Sequence, residues 1–213
     1  MTDTSLLETI PFKYIGGNPA IDLVNTIDWT SRGPEEERLT SYERLTKWAE
    51  EAGVLPVRDA TQLRRRAALK PKEAEGGLRS AVRAREVLHG VFSAVAGEKP
   101  VGEALDQFNR LLGPTLEHLR VVRDRGRQRG RRLKLGWDDL ETRLDSLIGP
   151  VLWSAASLLS SDEVSRIRIC DAPDCGWMYV DRSRNGLRRW CQMQTCGTRE
   201  KSRRRYGRPT DRP

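Results

Sequence analysis

Four cysteines, Cys170, Cys175, Cys191 and Cys196, are spaced as two Cys-x4-Cys pairs separated by fifteen residues, and the chain contains no others. Two close pairs joined by a loop of this length are what a tetrahedral four-thiolate zinc site requires. Each pair can turn two sulfurs inward, and bridging the pairs closes a module too small to bury an adequate core alone. In a reducing compartment such clustering favours metal ligation over disulfides. Four thiolates leave no coordination position for water, so one structural Zn2+ is expected and catalytic metal is not. Two alternatives share the ligands: a thiol switch that releases the metal on oxidation, and an iron–sulfur cluster, for which the spacing makes no positive case.

Arginine surrounds these ligands. Arg182, Arg184, Arg188 and Arg189 lie between the pairs, and Arg199, Lys201, Arg203, Arg204 and Arg205 follow the last cysteine. Residues 182–208 hold ten Arg or Lys against one acid, Glu200, a net +9 within an overall charge of +8, so the remainder sums to −1. A near-neutral body with a concentrated cationic segment is the footprint of a protein that meets phosphates, with a solvated basic tail as the plain alternative. The guanidinium fork suits phosphates and guanine edges, which points to duplex DNA ahead of RNA. Helical spacing puts Arg199 and Arg203 on one face with Lys201 and Arg205 elsewhere, leaving no apolar stripe for packing. Trp177, Tyr179, Trp190 and Tyr206 interleave with these cations. They would stack on bases in an RNA binder, or else Trp177 or Tyr179 would join Trp190 in the small core beside the metal, the reading preferred here.

The elements that must position this module are mostly helical. Gly16-Gly17-Asn18-Pro19 is a turn signal, after which Ile21, Leu23, Val24 and Ile27 begin an apolar segment of uncertain type. Ser41 caps a helix carrying Tyr42, Leu45, Trp48, Ala49 and Ala52, stopped by Gly53. Further helices are expected over Leu63–Leu69, around Val82 to Val95, and around Leu105 to Leu112. Leu119–Val122 and Arg131–Leu135 flank the turn-prone stretch 124–130 as the arms of a β-hairpin. Helical periodicity then runs from Leu140 to Leu159, with Pro150 expected to kink or interrupt it, and ends near Ser160. A boundary is expected near residue 162, with a helical domain over 1–162, the cysteine module over 163–208 and a frayed tail over 209–213. Arg166–Ile169 and Trp177–Val180 read as a hairpin carrying the first cysteine pair, and Arg188–Gly197 would put the second pair at the start of a final helix.

No apolar run is long enough to span a membrane and no signal-peptide pattern opens the chain, so the expected address is the cytoplasm. His89 and His118, the only histidines, lie on unrelated segments, and no nucleophile elbow, P-loop or dinucleotide fingerprint occurs, so no enzyme activity is expected. Trp29 and Trp48 would line a ligand pocket or, more simply, fill the core, the reading preferred for Trp48. No ligand-binding residue is assigned.

The string Cys170-x4-Cys175, Asp181-Arg182-Ser183-Arg184-Asn185, Arg188-Arg189-Trp190-Cys191 and Cys196-Gly197-Thr198-Arg199 resembles the CGNR zinc finger of bacterial proteins. Gly16-Gly17-Asn18-Pro19-Ala20-Ile21-Asp22-Leu23-Val24-Asn25-Thr26 looks like the opening motif of the ABATE domain found with it. The resemblance implies a helical domain with a sensing role and a C-terminal zinc finger, in stress-related transcription regulators. Thr198 stands where the family name has asparagine, which puts that side chain's hydrogen bond in question. The expected fold is therefore mainly α with small β-hairpins. The expected function is zinc-dependent DNA binding, with a small-molecule effector and a homodimer left open. The alternatives are an RNA- or ribosome-associated zinc protein, and a small-molecule binder with the finger as tether.

Overall fold

The computed structural model describes residues 10–30, 32–97, 99–123, 133–138, 140 and 142–206. Asn18 caps the first helix, α1 (Pro19–Val24), by accepting from Ala20 N, and Pro19 sits in the first turn, where no N–H is needed. Five of its six residues are buried. Ile27 leaves the helix and opens a hairpin, β1 (Ile27–Thr30) with β2 (Gly33–Glu37). That hairpin was not legible beforehand, because Gly-Pro-Glu-Glu-Glu has little strand propensity. Tertiary contacts hold it instead. Arg85, buried in the helix described below, donates to Glu37 at 2.7 and 2.6 Å and to Thr26 Oγ1 at 3.1 Å.

Helix α2 (Tyr42–Glu51) begins at Ser41, whose hydroxyl accepts from Arg44 N, and Gly53 follows it with a positive φ of 70°. Next come α3 (Val57–Leu69), the long α4 (Pro71–Ala96) and α5 (Gly102–Leu116). Helix α4 is the spine: α1, α2, α3, α5 and α6 (Ile148–Leu159) all pack on it. Their apolar faces meet in a core of Ile21, Leu23, Leu45, Trp48, Leu63, Leu88, Phe92 and Leu152, each at most 1 % exposed. Trp48 is thus core. Trp29 is half-buried, stacked on His89 at 3.7 Å between centroids, and burial pushes the His89 imidazole down to about 4.

The expected hairpin after α5 is present as β3 (Leu119–Arg123) and β4 (Leu133–Trp137), while the stretch 124–132 lies outside the described residues. The long helix from Leu140 needs correction. Leu140, Leu144 and Leu147 are buried, but in turns, and α6 begins only at Ile148. Proline supplies no N–H, so Pro150 fits the first turn of a helix and not its interior. A 3₁₀ turn (Asp162–Arg166) then leads into β5 (Ile167–Ile169), paired antiparallel with β6 (Met178–Val180), and the chain closes with a π-turn (Met193–Gly197) and α7 (Thr198–Tyr206). The apolar core does not stop at residue 162, since Ile167, Met178 and Val180 are buried in the same cluster as the helices. Among the described residues no helix is long and apolar enough to cross a membrane.

Backbone contact between α4 and the turn before α6 is close enough to test. A Cβ on Gly77 would sit 2.3 Å from Leu144 O and 2.9 Å from the Tyr42 ring. Helix propensity alone would make Gly77→Ala stabilising by up to about 1 kcal/mol. The clash is expected to reverse the sign and lower stability by about 1–3 kcal/mol in urea unfolding. A higher midpoint would contradict this packing.

Candidate metal centre and nucleic-acid interface

Strands β5 and β6 pair Ile167 with Val180 and Ile169 with Met178, and one further bond, Cys170 N to Trp177 O at 2.9 Å, extends the ladder to the first cysteine. The connecting turn closes with Cys175 N on Ala172 O at 3.1 Å and uses Asp174 at φ 58°, a left-handed position that aspartate tolerates. The second pair arrives alongside, with Asp171 N donating to Arg189 O and Cys191 N donating to Cys170 Sγ at 3.3 Å. The π-turn then brings Cys196 back. Gly197 is required there, because a Cβ would meet Met193 Sδ at 2.3 Å and the Trp190 ring at 3.0 Å. Thr198 Oγ1 donates to Met193 O at 3.0 Å and ties the π-turn to α7.

The four Sγ atoms lie within 4.8 Å of one another, with Cys175–Cys191, Cys175–Cys196 and Cys191–Cys196 at 3.8, 3.7 and 3.5 Å. A tetrahedron with Zn–S arms of about 2.3 Å has edges of about 3.8 Å, so this donor set fits one structural zinc ion. The electrostatics point the same way. Hydrogen bonds from Cys175 and Cys191 pull the Cys170 thiol well below its ordinary range, while the contact with Cys170 pushes Cys175 and Cys191 up. Without a cation one sulfur takes the charge and its neighbours stay protonated, whereas a divalent ion lets all of them ionise.

A second small core surrounds the sulfurs, formed by Ala172, Trp177 and Tyr179 with Ile15 and Trp190 against it. Tyr179 OH donates to Arg188 O at 2.6 Å, and burial raises its phenol above the usual range. These aromatics therefore fill the module, as preferred from the sequence. The side chain of Tyr206 lies outside the described residues.

The expected nucleic-acid residues divide into two groups. Arg188 stacks over Tyr179 and donates to Trp190 O and Cys191 O, which braces the second pair. Arg182 forks onto Glu163 at 2.6 and 2.9 Å and donates to Gly17 O at 2.9 Å. Arg189 pairs with Asp171, Arg203 pairs with Glu200, and Arg205 is also engaged within the chain. The side chain of Arg204 is outside the described residues. Arg184, Arg199 and Lys201 are exposed and make no hydrogen bond or ion pair among the described residues.

Sequence reasoning missed the residues that fix this module to the body. Asn25 acts as a one-residue strand: its side-chain amide donates to Met178 O at 2.8 Å and accepts from Met178 N at 2.9 Å. Val180 N donates to Gly16 O, Gly176 N to Trp29 O, and Trp177 Nε1 to Asp28 Oδ1 at 2.8 Å. Asp28 also accepts from Arg38, whose guanidinium lies over the Trp177 ring. Asp181 holds the inter-pair loop by accepting from Ser183 N and Arg188 N. The signal was available in part, since Asn25 belongs to the Gly16–Thr26 motif.

The sequence model of the ABATE family, described as "putative stress-induced transcription regulator", matches residues 17–162. That of the CGNR zinc finger matches residues 166–209. Both are regulator or zinc-finger families rather than enzyme families. No curated protein matches the chain.

Metal analysis is expected to return one zinc per chain, and Cys196→Ser to abolish stoichiometric binding while the helical far-ultraviolet signal of the body largely survives. Full zinc retention in that variant would exclude Cys196 as a ligand. Asn25→Ala strands a buried N–H and C=O of Met178, so it is expected to cost about 2–4 kcal/mol in denaturant unfolding. An unchanged midpoint would show that the module is not anchored there.

Proposed function

We propose that this chain, which belongs to the ABATE family and carries a CGNR zinc finger after that domain, is a zinc-dependent DNA-binding protein of the cytoplasm that regulates transcription. One observation carries the reading. The finger's cations are sorted, with Arg182, Arg188, Arg189 and Arg203 engaged by partners within the chain, all but Arg188 at the surface, and Arg184, Arg199 and Lys201 exposed without partners among the described residues. A cation held on a rigid frame loses little entropy on meeting a phosphate, whereas one on a flexible tail loses more. We assign Arg184, Arg199 and Lys201 to phosphate or base-edge contact, with Arg189, Arg203, Arg204 and Arg205 adding to the surrounding positive field.

Duplex DNA is favoured over RNA because, among the described side chains, the three aromatics that would stack on splayed bases are occupied. Trp177 and Tyr179 are buried beside the sulfurs, and Arg189 lies over Trp190. The reading of the finger as a loose tether loses support from the bonds that Asn25, Gly16, Trp29 and Asp28 make to it. Body and finger work as one unit, the helical part over residues 1–162 receiving a signal or a second copy of the chain and the part over 163–208 meeting DNA.

Fluorescence anisotropy with random-sequence duplex DNA tests this. Zinc-loaded protein is expected to bind with log K falling by about 0.9 per phosphate contact for each unit of log salt. Arg184→Ala, Arg199→Ala and Lys201→Ala are each expected to lower that slope by about 0.9 if the residue contacts a phosphate. Affinity indifferent to salt would overturn the proposal, and structured RNA displacing duplex at equal concentration would transfer it to RNA.

A further inference from the structure

A cavity of about 420 Å³ lies in the helical body, away from the sulfurs. Its floor is apolar, formed by Ala84 of α4, Leu111 of α5, and Ile148 and Leu152 of α6. A volume of this order with an apolar floor and a few polar groups is the usual form of a small-molecule site.

The charges around it are unequal in their commitments. Arg143 forks onto Asp145 at 3.1 and 2.9 Å and donates through Nη1 to His118 Nε2 at 2.8 Å. A guanidinium can only donate, so Nε2 is an acceptor, and Nδ1–H is left to donate to Asp138, which also holds Arg120. These groups already have partners within the chain. Two opposite charges lining the same cavity are not among them: the side chains of Arg83 and Glu117 pair neither with each other nor with any other described residue. They stand on different walls, Arg83 on α4 and Glu117 just after α5.

We infer that this cavity binds a small zwitterion with an apolar body, an aliphatic or aromatic α-amino acid or a close analogue. Its carboxylate meets Arg83, its ammonium meets Glu117, and its side chain covers Leu111, Ile148 and Leu152. One charge of each sign above an apolar floor suits this class, whereas a fatty acid would leave Glu117 facing a carboxylate and an amine would leave Arg83 facing a cation. The walls also reach the finger. Helices α4 and α6 both pack on the 3₁₀ turn, and α4 packs on β5, so a ligand there acts on the elements that hold the zinc hairpin. Binding itself does not depend on the DNA-binding reading and is measured without DNA.

Calorimetry and thermal shift on the zinc-loaded full chain, with each common amino acid and with its N-acetyl and amide derivatives, decide the matter. At least one free apolar amino acid is expected to bind saturably at one per chain. Blocking either end is expected to weaken it by about tenfold or more, the loss of one charge-assisted hydrogen bond. Arg83→Ala should then cease to distinguish acid from amide, and Glu117→Gln should cease to distinguish amine from N-acetyl. Both side chains are exposed, so these variants are expected to keep the parent's melting temperature and zinc content. Leu111→Trp, which fills the cavity, is expected to abolish binding. No saturable binding by any amino acid, equal affinity for the blocked derivatives, or binding unaltered in Arg83→Ala and Glu117→Gln would each overturn the inference.

Discussion

Four sulfurs drawn within 4.8 Å of one another are the constraint on which the rest of this molecule depends. As thiolates they would repel one another, and one divalent cation at their centre removes that repulsion. A divalent ion turns the repulsion into the strongest cross-link available to a module with so little apolar material of its own. Once that link exists, the turn before Cys175 and the π-turn that carries Cys196 have fixed positions, and the guanidinium groups between and after them have fixed bases.

That link alone would leave a rigid finger on a loose stalk. The body removes the looseness by treating the finger's hairpin as part of its own core: Ile167, Met178 and Val180 sink among the helices, and Asn25 pairs with Met178 as another strand would. The β1–β2 hairpin closes the other side, receiving Trp177 on Asp28 and Gly176 on the Trp29 carbonyl. Its own far end is held by Glu37, half-buried at the end of β2, pairing with the buried Arg85 of α4. A physical path therefore runs from the spine helix to the metal through contiguous hydrogen bonds and packed rings.

Much of this was legible because the relevant signals are local. Cysteine spacing, the Ser41 cap, the Gly53 stop and the alternation on either side of residues 124–132 each depend on neighbours in sequence, and each led to the right element. What failed to show depends on partners far along the chain. The β1–β2 hairpin has poor strand propensity and exists because Arg85 reaches Glu37 across 48 positions. The helix expected from Leu140 kept its periodicity in buried turns, since periodic burial does not require helical hydrogen bonds, and Pro150 moved the true start to Ile148. The charge count identified a basic surface but could not sort it, because whether an arginine braces a cysteine turn or faces outward is decided by its partners. Arg188 and Arg184 look alike in sequence and differ in what surrounds them.

Zinc K-edge X-ray absorption on the purified full chain tests the central claim most directly. A single shell of four sulfur neighbours at about 2.3 Å, with no nitrogen or oxygen scatterer, is the result this account requires. A mixed shell, iron in place of zinc, or metal-free protein with Trp177 and Tyr179 still packed would contradict it.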